Sequence, residues 1–135
     1  MNKFINRDEA MIILKKMLSN KSLIIHSLSV AMVMEEHPKK IDENIDEFYI
    51  TGLLHDADYE KYPEKHPDVI VKKLNDLGLT KIAYAISSHY SKWGNECITN
   101  LDKYLLACDE ITGFIVACSK AVSYTHLTLP TSFLV

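Results

Sequence analysis

At 135 residues the chain is long enough for one compact domain with a single core and short for two. An apolar fraction of 47% beside 24% charged residues is that of an ordinary globular protein, and only four glycines and four prolines exclude a loop-rich or disordered chain. A net charge of −3, with lysines scattered rather than striped, gives no footprint for nucleic acid or for an anionic membrane.

The chain reads as helices throughout. Asn6 can cap "RDEAMIILKKML", with Glu9 three residues on to complete a capping box. A second helix runs from about Ser22 through "LIIHSLSVAMVMEE" and stops at His37-Pro38, because a residue before proline disfavours the helical region. His37 itself is expected to face solvent. Asp42 can cap a third helix, "ENIDEFYITGLLHD". Pro67 suits the first position of a fourth, "PDVIVKKLNDL", and Gly78 is placed to end it. Thr80 can cap "KIAYAISSHY", and a polar turn then leads into a long helix, "LDKYLLACDEITGFIVACSKA". Nothing alternates with period two for long enough to make a sheet, so the expected fold is all-α, a bundle of five to six helices.

The end of the chain breaks this pattern. "VSYTHLTLPTSFLV" carries no charge and many β-formers, and its first ten residues, Val122 to Thr131, resemble a translated sequencing adapter. The expected domain is therefore 1–121, incomplete at its C-terminus, with 122–135 a non-native tail that removes His126 from consideration. Three cysteines (Cys97, Cys108 and Cys118) without CxxC spacing exclude a disulfide framework and suggest a reducing compartment. With no apolar leader and no membrane-length run, the expected location is the cytoplasm, with no membrane or nucleic-acid partner.

Polar residues then appear on apolar faces. His26 shares a face with Leu23, Val30 and Val33, and His55-Asp56 closes the run Phe48, Ile50, Leu53, Leu54. His89 ends the face made by Ile82, Ala85 and Ile86, and Asp109 lies among Leu105, Leu106, Thr112 and Val116. A lone apolar-face histidine is usually a satisfied core residue. A lone buried aspartate is rarer, because an unpaired carboxylate in a core costs several kcal/mol. Asp109 thus asks for a cation, and histidines and aspartates converging from facing helices can hold a divalent metal.

The ordered set His26, His55-Asp56, Asp109, in "HSLSVA", "GLLHDADYE" and "LDKYLLACDEITGFIVA", resembles the HD superfamily of metal-dependent phosphohydrolases, over about residues 7 to 121. The resemblance implies that His26, His55, Asp56 and Asp109 hold a first metal, with Asp56 bridging to a second that His66 and His89 complete. The sequence departs from the family in having Pro67 after His66, where a small residue such as glycine is common; the alternative for His66 is a surface helix cap. The cofactor would be one or two ions of iron, manganese, cobalt or zinc. Asp56 and Asp58 are the expected catalytic carboxylates, Asp58 either bonding a ligand histidine or donating a proton, against the plainer reading of a solvated loop acid. Lys61, Lys65 and Lys92 are candidates to meet a phosphate, Thr112 to orient Asp109, and Tyr59, Tyr62, Tyr90 and Trp93 to flank the mouth. Cys108 should point away from the site into the core. The expected activity is metal-assisted hydrolysis of a phosphate ester of a nucleotide or small metabolite. The rivals are a mixed-valent di-iron oxygenase on the same ligands and a non-catalytic nucleotide-binding module.

Overall fold

A computed structural model describes residues 4–38 and 43–125, with side chains from Phe114 onward and that of Ser91 outside the description. The described residues form six α-helices and one short 3-10 turn, with no strand among them. The helices are α1 (Arg7–Met17), α2 (Lys21–Met34), α3 (Ile45–Leu54), α4 (Asp68–Asp76), α5 (Thr80–His89) and α6 (Asn100–Thr125), with the 3-10 turn at Ser91–Trp93. The all-α expectation holds.

The helix starts follow from their caps. The Asn6 side chain accepts from Glu9 N at 2.8 Å while the Glu9 carboxylate accepts from Asn6 N at 3.2 Å, the expected reciprocal box. Ala10, Leu14 and Met17, at steps of four and three, then bury one face. Asn20 caps α2 by accepting from Leu23 N. Asn44 caps α3 by accepting from Glu47 N; Asp42, the expected cap, falls outside the described residues. Thr80 is the first residue of α5 rather than its cap, which is Leu79 and bonds through no side chain. Gly78 follows the end of α4 at φ 82°, a left-handed position that glycine adopts without a Cβ penalty. Thr99 and Asp102 form a second reciprocal box at the start of α6.

The hub is α3. Phe48, Ile50, Thr51, Gly52, Leu53 and Leu54 are all buried, so the helix is surrounded. It packs against α1, α2, α5 and α6, most extensively against α2. Each large apolar side chain it buries contributes about 1.5–3 kcal/mol relative to exposure. Close approach to α2 depends on Gly52, whose missing Cβ would lie 2.9 Å from both the Cα and N of Ala31. Because α3 runs through the core, whatever stands at its C-terminal end is delivered to the interior, and that end is His55-Asp56.

The end of α2 differs from expectation. α2 ends at Met34, three residues before His37. His37 is half-buried rather than open to solvent: its ring lies 3.7 Å from that of Tyr104 and 5.8 Å from that of Phe48, an aromatic cluster of α6 and α3 that partly covers it. Val33 lies on the His26 face by helical spacing but, two turns on, is 43% exposed rather than buried. At the other end, α6 runs without a break through the expected boundary at Ala121 as far as Thr125. Residues 126–135 lie outside the description.

Candidate metal centre

Five elements bring six polar side chains to one place. His26 comes from the middle of α2, and His55 and Asp56 from the C-cap of α3 and the turn beyond it. His66 stands just before α4, His89 is the last residue of α5, and Asp109 faces inward from α6. His26, His55, Asp56 and Asp109 each offer one ligand atom within 4.8 Å of all the others, and Asp56, His66 and His89 form a second group by the same measure. Asp56 belongs to both.

The two oxygens of Asp56 divide between the groups. Oδ2 lies 3.1 Å from His55 Nε2 and 3.7 Å from His26 Nε2. Oδ1 lies 3.2 Å from His66 Nε2 and 3.7 Å from His89 Nε2. Asp109 Oδ1 closes the first group at 3.2 Å from the Nε2 of both His26 and His55.

Outer partners fix the imidazoles. His55 Nδ1 donates to the Gly52 carbonyl at 2.6 Å, His89 Nδ1 donates to the Ile86 carbonyl, and His66 Nδ1 donates to Asp58 Oδ1 at 2.6 Å. With Nδ1 so engaged, each Nε2 is left facing the cluster, the arrangement that orients histidine as a metal ligand. The carbonyls of Gly52 and Ile86 each lie one turn back on the histidine's own helix, so α3 and α5 aim their terminal histidines by themselves.

The electrostatics are those of carboxylates and imidazoles holding one another's charge. Burial alone would lower the pKa of His55, but Asp56 and Asp109 outweigh it and raise the group to about 10. Burial opposes His66 in the same way, and hydrogen bonds to Asp56 and Asp58 raise it to about 9. Burial would raise both acids, yet His55, with His66 and His89, holds Asp56 well below the usual carboxylate range. His26 and His55 do the same for Asp109. The carboxylates thus favour positive charge at His55 and His66, as they would favour a cation. A donor set of neutral imidazoles and carboxylates fits a borderline divalent ion such as iron, manganese, cobalt or zinc.

This constellation has a family. The chain matches the HD domain family over residues 23–113, a span that contains all six side chains. The chain belongs to the HD domain family. Membership places it in a superfamily of metal-dependent phosphohydrolases whose domains bind divalent metals. No curated protein and no solved structure matches the chain.

The remaining candidates fare unevenly. Asp58 is not a solvated loop acid: it is fully buried, accepting from His66 Nδ1 and, at 3.0 Å, from Ile70 N. With both oxygens taken by N–H donors it has no proton in place to donate. His66 is no surface cap either, since its ring is turned to Asp56 and Asp58. Pro67 sits at the cap position of α4, one residue before the helix, behind a cis His66–Pro67 peptide. Lys61 is committed elsewhere, donating to the Lys16 carbonyl at the end of α1 at 2.8 Å. Lys65 and Lys92 are exposed. Thr112 is buried one turn beyond Asp109 but makes no hydrogen bond to that carboxylate among the described residues. Cys108 is a core thiol, raised to about 11 by burial and then by Asp109. Tyr59 and Tyr90 stand edge-on to His66, each with its ring centroid 5.7 Å away, and Trp93 stacks edge-on to Tyr90.

Sequence reasoning missed the tether made by Glu60. Glu60 accepts from Ser19 N at 2.7 Å and Asn20 N at 3.0 Å, which pins the loop after Asp56 to the α1–α2 junction. The Ser19 N–H holds the Glu60 carboxyl below its ordinary range. The partners are about forty residues apart, and no local pattern announces them. A cleft of about 430 Å³ between the N-termini of α1 and α3 and the α4–α5 junction shares no residue with the metal-ligand groups. The titratable chemistry lies with the ligand groups.

Proposed function

We propose that this protein hydrolyses a phosphate ester of a nucleotide or another small phosphorylated metabolite, at a two-metal centre. The observation that carries the reading is Asp56, with one carboxylate oxygen facing His26 and His55 and the other facing His66 and His89. A pure binding module has no use for a carboxylate shared in this way. His26, His55, Asp56 and Asp109 would hold one ion, and Asp56, His66 and His89 the other. When bound, the ions supply Lewis acidity toward phosphate oxygens and a water acidic enough to ionise near neutral pH.

The chain's own groups do the rest. The Gly52 and Ile86 carbonyls hold His55 and His89 with Nε2 inward, so the geometry is set before substrate arrives. His55 is fully buried, which keeps bulk water from one side of the cluster, while Asp56 and Asp109 retain about a quarter of their side-chain exposure on the open side. Substrate would enter there. Tyr59 and Trp93, 49% and 40% exposed, flank that approach and offer flat apolar faces. Lys65 and Lys92 would meet the phosphate as point charges. No serine or cysteine nucleophile is required, and the Cys108 thiol, held protonated in the core, is unsuited to the task.

The test is phosphate release from a panel of nucleotides and sugar phosphates by protein loaded with each of iron, manganese, cobalt and zinc. Activity that depends on metal and disappears in Asp56→Ala is expected. Undiminished phosphate release by Asp56→Ala would overturn the mechanism, and oxygen uptake in place of phosphate release would move the centre to oxidative chemistry.

A further inference from the structure

α4 begins without a cap of its own. Pro67 occupies the N-cap position and offers no side-chain hydrogen bond, yet Ile70 N, three residues on, is satisfied. Its acceptor is Asp58 Oδ2, twelve residues upstream, at 3.0 Å. The other oxygen of the same carboxylate accepts from His66 Nδ1 at 2.6 Å. An ionised carboxylate only accepts, so the proton on that side of His66 belongs to Nδ1, and Nε2 is the nitrogen left facing Asp56 Oδ1 at 3.2 Å. Asp58 is wholly buried and lies two residues beyond Asp56 in the same turn.

We propose that Asp58 is a positioning residue for the second metal group, locking His66 in the tautomer and orientation that present Nε2 to Asp56 and tying that orientation to the first turn of α4. The inference rests on the two-metal reading above. It accounts for a full-length carboxylate buried beside a histidine where a neutral acceptor would serve the helix alone. Cap and ligand are thereby one device: the N-terminus of α4 cannot shift without moving His66. The dipole of the same helix favours the negative charge at that end.

An amide cannot reproduce both bonds. In Asp58→Asn the amide oxygen can still accept from Ile70 N, so α4 keeps its cap. The NH2 group then faces His66 Nδ1 and requires that nitrogen to accept, which moves the ring proton to Nε2 and blocks the metal-facing lone pair.

The experiment is zinc titration by calorimetry on the full chain, beside nitrogen-15 spectra of the histidine rings in the zinc-loaded protein. Wild type is expected to take two equivalents. Asp58→Asn should keep one equivalent within threefold of wild type and weaken the other about ten- to a hundredfold. In zinc-loaded wild type, His66 should show a proton on Nδ1 and zinc on Nε2. A variant that binds both equivalents within threefold of wild type overturns the role of Asp58 and leaves the two-metal reading standing. A wild type that binds no second zinc overturns that reading, and this inference with it. Should the variant fail to fold, the wild-type spectrum decides alone: a His66 without a proton on Nδ1, or bound through Nδ1, overturns the proposal.

Discussion

Replacing Gly52 by alanine should destabilise this protein, although alanine is the better helix former. Gly52 sits in α3 against α2, and a Cβ there would lie 2.9 Å from Ala31 Cα, Ala31 N and Met34 Cγ. Carbon contacts are ordinarily about 3.5–4.0 Å, so the two helices must part by roughly half an ångström or more. Two of the three atoms are backbone, which a rotamer change cannot relieve, so the upper end of the overpacking range applies, about 3 kcal/mol. The helix-propensity gain of alanine over glycine returns about 1 kcal/mol. The net loss is about 2 kcal/mol. With an unfolding entropy of about 2.1 cal/mol/K per residue, roughly 280 cal/mol/K for this chain, the melting midpoint should fall by about 7 °C. The Gly52 carbonyl also holds His55 Nδ1, so metal affinity should fall with stability. Gly113→Ala is the control: a Cβ there meets nothing within 4 Å, and the same chemical change should raise stability by about 0.5–1 kcal/mol. Urea denaturation of both variants measures the contrast. A Gly52→Ala protein as stable as wild type, or more so, would refute the close α2–α3 packing.

The metal-free protein should lose stability as pH rises from 6.5 toward 10. His55 and His66 are raised in the folded state to about 10 and about 9 from 6.5, so their contribution is complete below pH 6.5 and is lost on approach to the folded values. Asp56 and Asp109 are shifted down, and their contribution, present above about pH 4, stays constant across that window. Denaturation midpoints at pH 6, 8 and 10 check this, and a flat or rising series contradicts it. Zinc uptake at pH 7.5 should release protons, because imidazoles must give up theirs to bind; heats independent of buffer ionisation would count against this. Asp56→Asn should weaken both metal equivalents together, whereas His89→Ala should weaken one, as read by calorimetry. Cys108, buried and raised to about 11, should react with iodoacetamide far more slowly than half-buried Cys97, as peptide mass mapping would show.

Much of this architecture is written locally. Asn6 and Glu9 announce α1, Gly78 ends α4, and the apolar run Phe48 to Leu54 announces a buried helix, because caps and periodicity act within a turn or two. Polar residues stranded on those apolar faces were legible for the same reason: a carboxylate on an apolar face, such as the half-buried Asp109, must be compensated. The Thr99–Asp102 box could have been found as well, from the T-x-x-D spacing before an apolar run. Long-range hydrogen bonds were not legible. Glu60 reaching Ser19, Lys61 reaching the Lys16 carbonyl and Asp58 reaching Ile70 N depend on where the fold carries a loop. Composition cannot tell a tethered loop acid from a solvated one. His37 next to a proline looks like surface until Tyr104 arrives from α6 to cover part of it.

The central claim is a two-metal centre joined through Asp56. Elemental analysis of protein purified without chelators, beside Asp56→Ala prepared identically, tests it most directly. The account predicts two divalent ions per chain in wild type and a loss of both in the variant. One ion or none in wild type, or two ions retained without the Asp56 carboxylate, would contradict it.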